Sequence, residues 1–236
     1  MIFGILIIVL LILSIFVSIL GYYSTKVEVD ASAETLLLDD DKDLKFFREI
    51  NKRYNNSNFL IVTFTPHENL LSNQSLDTIR TLSKDFLTVK NIEGVDSILT
   101  VPLLQSPIRP ISDLVAGVDS METKEFDKKL IKNEFLTSPL YKNALVSADF
   151  KTTALILNIK NDTKYFELLE KRNSLSAKEK EENITKEEKI ELEKTLIEFK
   201  NYRDLIRKND TQNIENIRNI IKKHETNGKI FLGGVN

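Results

Sequence analysis

The sequence predicts an α/β (α+β) chain: an N-terminal transmembrane helix, then a ferredoxin-like β-α-β repeat domain that carries a charged helical-hairpin insert. Three observations predict it. Ile2 to Tyr23 is an apolar run without a charge. Strand–helix–strand patterns follow, one on each side of an irregular insertion, which is the grammar of helices packed on a four-stranded sheet. Within the second pattern, 163–208 is dense in Lys and Glu around a narrow apolar stripe. The implied divisions are 1–24, transmembrane helix; 25–58, linker and amphipathic helix; 59–162, first part of the α/β domain; 163–208, hairpin; and 209–236, last helix and strand.

The first segment, IFGILIIVLLILSIFVSILGYY, has only Ser14 and Ser18 as small polar interruptions. At about 1.5 Å per residue it reaches roughly 30 Å, the hydrocarbon thickness of a bilayer. Tyr22 and Tyr23 stand where an aromatic belt would, with Lys26 beyond. A cleaved signal peptide is the alternative. The run is long for its apolar core, no basic segment precedes it, and Ala31-Ser32-Ala33 lies too far downstream to be its cleavage site. An uncleaved anchor is therefore expected, and with no Lys or Arg ahead of it the positive-inside rule does not orient it.

After TKVEVDASAETLLL comes DDDKD, 39–43. Asp39, Asp41 and Asp43 match the opening of a calcium loop, but Leu44 and Ile50 stand where its Gly and Glu belong, so the match fails. The acids suit a helix N-terminus, and Leu44, Phe47, Ile50 and Tyr54 recur at helical spacing. FLIVTFT, 59–65, closed by Pro66, reads as a buried strand. A helix from about Ser75 carries Leu76, Ile79, Leu82, Phe86 and Val89 on one face, and VDSILTV, 95–101, reads as the second strand. A parallel pair so connected crosses over right-handed. Pro102, Pro107 and Pro110 mark an irregular arm, and a short helix with Phe126, Leu130 and Phe135 follows. TTALILNIK is the third strand, TQNIENIRNIIKKHE a helix with Ile214, Ile217, Ile220 and Ile221 on one face, and KIFLGG, 229–234, the fourth strand.

The insert shows two capping-box patterns, Ser176 with Glu179 and Thr185 with Glu188. After the second, Leu192, Leu196, Phe199, Arg203 and Ile206 run down one side, which reads as an antiparallel hairpin largely facing solvent. A disordered charged linker and a docking arm for a partner protein are the alternatives.

Composition excludes several classes. The net charge of −2 arises from nearly balanced acids and bases, so no nucleic-acid footprint is visible. Cysteine is absent, which removes disulfides and thiolate metal sites, and the two histidines, His67 and His224, are far apart in sequence, against a zinc site. Asn-x-Ser/Thr matches at Asn55, Asn73, Asn161, Asn183 and Asn209 read as chance in an Asn-rich chain. Ser147 and Asp149 raise the question of a nucleophile, but a hydrolase needs a base oriented against its serine, and neither histidine is near in sequence. No Gly-rich phosphate loop is present; Gly233-Gly234 closes a strand and opens no helix. The expectation is no enzyme, no cofactor, no catalytic residue and no metal, with Ser147 and Asp149 as turn residues.

VEVDASAETLLLDDDKD, RYNNSNFLIVTF, IEGVDSILTVPLLQSP, SPLYKNALVSADFKTTALILNI and GKIFLGGV occur in this order. In order and spacing they resemble the RND exporter superfamily, in its MMPL-like branch of hydrophobe and amphiphile exporters. The likeness covers nearly the whole chain outside 163–208, although Leu38 stands where the family usually has a Pro. It implies a porter-type domain outside the cytoplasm, at the inner (cell) membrane of a bacterium, half of a periplasmic porter in a proton-driven exporter of hydrophobic or amphiphilic molecules, lipids among them. It also implies a homo-oligomer and architectural roles for Ser147 and Asp149. The family's proton-carrying acids lie in later spans, and this sequence stops at Asn236, where a second span would begin; the reading is of a fragment. The implied partners are the bilayer and the substrate. The substrate surface is unknown, with Leu103, Leu104, Ile108 and Leu114 of the irregular arm as exposed apolar candidates. The competing function is an extracytoplasmic sensor domain of a membrane-anchored receptor. A third reading makes the hairpin an assembly element.

Overall fold

In a computed structural model of the chain, the described residues are 2–24, 46, 50, 58–108, 110, 112, 117–120 and 121–233. They fall into two units, 1–55 and 56–236. The first contains helix α1, Ile2–Ser24, which has no acidic residue in its first turn and no basic residue in its last. Its described side chains are exposed, Phe16 and Tyr22 among them, and Ser18 donates its hydroxyl to the Ser14 carbonyl at 2.8 Å. The Asp-rich stretch at 39–43 and most of the helix expected after it lie outside the described residues.

In the second unit the elements run β1 (Phe59–Pro66), α2 (Asn73–Phe86), β2 (Ile92–Asp96), α3 (Lys128–Thr137), β3 (Thr153–Ile159), α4 (Thr163–Lys180), α5 (Lys186–His224) and β4 (Gly228–Gly233). The four strands form one sheet in the order β2-β3-β1-β4, and every neighbouring pair is antiparallel. β1 and β2 therefore run the same way with β3 between them. β3 and β4 do likewise around β1.

The expected fold class, a transmembrane helix followed by a ferredoxin-like porter-type domain, is corrected. Among the described residues no helix is long and apolar enough to cross a membrane. The chain is α+β, with five helices among the described residues and a sheet without a parallel neighbouring pair. The crossover expected to join adjacent parallel strands instead skips over an antiparallel one.

Each element has a local cause. α2 begins where Ser72 accepts the Ser75 amide at 3.1 Å, a side-chain cap on an orphan donor. Ile79, Leu82 and Phe86 then recur on one buried face. The strand expected at 95–101 is instead Ile92–Asp96. At Ser97 the chain turns, because its hydroxyl accepts the Leu99 amide at 3.2 Å and the Thr100 hydroxyl accepts the Ser97 amide at 2.9 Å. Local side-chain bonds outcompete the β-branched run there, and Ile98 and Leu99 drop into the core.

α4 and α5 pack against each other in antiparallel fashion, as the hairpin reading has it, but the hairpin is not separate from the last helix. α5 runs unbroken from Lys186 to His224. The Thr185–Glu188 box caps it in full, with the Glu188 amide on Thr185 Oγ1 and the Thr185 amide on the Glu188 carboxylate. Ser176 caps nothing: it lies inside α4, whose cap is Asp162. One apolar core unites Val62, Phe64, Leu82, Phe86, Leu155 and Ile217 between the sheet and the helices. A second, smaller cluster of Leu168, Leu169 and Phe199 lies within the hairpin. Three lysines of α4 seven residues apart, Lys164, Lys171 and Lys178, face Glu198, Glu191 and Glu188 of α5. That is the charge pattern that sets register in paired helices.

Candidate functional site: the second face of the sheet

Strand side chains alternate between faces, so the register decides what each face carries. Leu60, Val62 and Phe64 of β1 stand opposite Leu157, Leu155 and Thr153 of β3, and Phe64 also stands opposite Ile230 of β4. This face belongs to the core beneath α2 and α5. The other face carries Phe59, Ile61 and Thr63 of β1, Ile156 and Asn158 of β3, and Phe231 of β4. Phe59 is 56 % exposed and Phe231 64 %, while Ile61 and Ile156 are half-buried.

Ile61 stands directly opposite Ile156, and Thr63 opposite Phe231. Such apolar and aromatic cross-strand pairs stabilise a sheet, and here they also leave an apolar strip accessible. Polar groups lie at its borders. Asn158 Nδ2 donates to Asp96 Oδ2 at 2.8 Å, the Thr65 and Thr152 hydroxyls are 2.7 Å apart, and Lys229 is exposed on β4. An apolar floor with a few polar anchors at its border is the composition of a site for a hydrophobic or amphiphilic guest.

The residues singled out from sequence fall elsewhere. Ser147 and Asp149 form a turn: the Ser147 hydroxyl donates to Asp149 Oδ1 at 2.6 Å and accepts the Thr152 amide at 2.9 Å. That hydroxyl, and then the Lys151 amide, hold the Asp149 carboxyl below its ordinary range. The turn places Phe150 at a φ of 56° and sends its ring into the core, 6.5 Å from Phe135. His67 is exposed and His224 is buried. His224 Nε2 lies 2.8 Å from Asp85 Oδ2, and Lys223 Nζ lies 2.9 Å from the same oxygen. The hydrogen bonds from His224 and then Lys223 lower the Asp85 pKa against a smaller opposing effect of burial. Neither histidine is brought to Ser147 by any hydrogen bond described.

Of the apolar arm candidates, Leu103 is buried, Leu104 half-buried and Ile108 84 % exposed; Leu114 lies outside the described residues. The sheet face was missed, although FLIVTFT held the signal. A strand apolar at both parities has two apolar faces, and helices on one side of a sheet cover one of them. The chain matches no family model, and no curated protein and no solved structure matches it.

Proposed function

We propose that the unit 56–236 is the cargo-handling part of a bacterial exporter of hydrophobic or amphiphilic molecules, lipids among them, acting outside the cytoplasm at the cell membrane. On this reading the domain binds and guides its cargo without transforming it, and the second face of the sheet is the surface on which cargo lies. The observation that carries the proposal is the apolar strip of the exposed Phe59 and Phe231 with the half-buried Ile61 and Ile156, on a sheet whose other face is sealed by helices. A broad, largely apolar floor tolerates varied tails, because apolar contact is non-directional.

The test is binding of a fluorescent apolar probe, N-phenyl-1-naphthylamine, to the whole chain and to Phe231→Ser and Phe59→Ser. Both positions are more than half exposed, so folding should survive the changes. The expected result is probe binding by the unmodified chain and a loss of about tenfold or more for the double variant, about 1.4 kcal/mol. Equal binding by all variants would remove the sheet face as the site.

A further inference from the structure

We propose that Glu134 and Ser106, beneath the 102–108 turn, form a head-group site for a primary-ammonium amphiphile. This rests on the cargo reading above and narrows it to a class of guest. Glu134, on α3, is 1 % exposed, and so is Ser106. Glu134 Oε1 accepts the Leu104 amide at 2.6 Å. Glu134 Oε2 and Ser106 Oγ have no hydrogen-bond partner among the described residues. Ser106 is two residues beyond Leu104, so its Cα lies within about 7 Å of the Leu104 Cα.

A buried charged oxygen without a partner is costly, and the cost is relieved by whatever supplies donors and positive charge. The two orphaned atoms are a carboxylate oxygen, which only accepts, and a hydroxyl oxygen, which can accept. Their complement is a cationic donor without acceptors, and an ammonium has three N–H donors and none to offer in return. Hard divalent cations demand more oxygen ligands, and among the described residues no group of three His, Cys, Asp or Glu is arranged to hold a metal ion.

The surroundings supply the tail's half of the match. Leu130, one helical turn before Glu134, is 43 % exposed, Leu104 is half-buried, and Ile108 is 84 % exposed. Ile108 closes a tight turn by bridging to Gln105. Entry requires this turn to lift from its moorings, the Leu103 amide on the Asp119 carbonyl at 2.9 Å and the Tyr141 hydroxyl on the Pro102 carbonyl. Association is accordingly slow, since binding waits on a conformational step.

The experiment measures the affinity of the whole chain for octylammonium, octanol and octanoate at neutral pH. It then repeats the series with Glu134→Gln and Ser106→Ala, each checked for folding by circular dichroism. The expected result is that the unmodified chain prefers octylammonium to octanol by about tenfold, within reach of a charge-assisted hydrogen bond. Glu134→Gln loses that preference, and Ser106→Ala reduces it. Equal binding of the three guests overturns this proposal while leaving the cargo reading standing, whereas no binding of any guest overturns both. A preference retained in Glu134→Gln places the head group elsewhere and overturns the assignment. Should Glu134→Gln fail to fold, an undiminished preference in Ser106→Ala does so.

Discussion

Ser147 illustrates how a residue that looks chemical in sequence serves geometry in the fold. Its oxygen collects the Lys151 and Thr152 amides while its proton goes to Asp149, and the result is a backbone held where Phe150 can turn inward. Ser147→Ala removes those bonds and is expected to cost about 1–2 kcal/mol. Urea unfolding reads that loss, with probe binding by the sheet face unchanged. A drop in binding with intact stability would give Ser147 a functional role that its bonds do not suggest.

Asp85 yields a pH prediction whose sign follows from its partners. Hydrogen bonds from His224 and then Lys223 depress its folded pKa below the ordinary aspartate range. The stabilisation is therefore complete above the unfolded carboxylate range and is lost as pH falls through the folded value, below about pH 4. The difference in urea midpoint between the unmodified chain and Asp85→Asn should be largest at pH 5 to 6 and should shrink toward pH 2. A difference that is constant over that range removes the linkage.

Among the elements, β4 depends on one small residue. A Cβ built on Gly228 would lie 2.8 Å from Pro66 Cα and 2.8 Å from the Phe64 ring, and closer still to the Thr65 carbonyl. Pro66 stands directly opposite Gly228 in the β1–β4 register, so backbone must move to admit a methyl. Gly228→Ala is expected to cost about 2–3 kcal/mol by overpacking, seen as faster hydrogen exchange in β4 than in β3. A change below about 0.5 kcal/mol would mean that the strand end adjusts freely.

The elements also show what was legible beforehand. β1, α2, β3 and β4 follow from periodicity because Val62 and Phe64, Ile79 and Leu82, Leu155 and Leu157, and Ile230 recur at the spacing of a buried face, although Phe59 and Phe231 are exposed. β2 was misplaced because Val95, Ile98, Leu99 and Val101 give 95–101 the look of an apolar strand, and only the Ser97 and Thr100 side chains reveal the turn. The continuity of α5 was hidden by the polar stretch around Lys208, Asn209 and Asp210, where no apolar stripe marks a helix face. The sheet face escaped for a different reason: an apolar strand does not say which of its faces will be left open. Glu134 escaped too, since a single acid among the charges of α3 gives no hint of its burial.

For the molecule as a whole, two apolar clusters of unequal size imply two levels of stability within 56–236. The hairpin holds Leu168, Leu169 and Phe199 together with Arg172 stacked 4.5 Å over the Phe199 ring, and its ion pairs are substantially exposed, so they add little. Phe199→Ala is expected to remove about 3–5 kcal/mol of local packing. Amides of α4 and of the first half of α5 should then exchange faster, while β1 and β3 keep their protection. Loss of protection throughout the sheet would show that the two clusters unfold as one.

α5 has its first half in the hairpin and its last turns, at Ile217 and Ile221, in the core. As a single rod of 39 residues it is about 58 Å long. Such a rod turns a small rotation at one end into a large travel at the other: a tilt of about 5° at its foot carries the far end through about 5 Å. Mechanical load on the hairpin is thus delivered to the strand that follows the rod, β4, and through β4 to Phe231. Whatever pulls on the hairpin therefore pulls on the floor where cargo would lie.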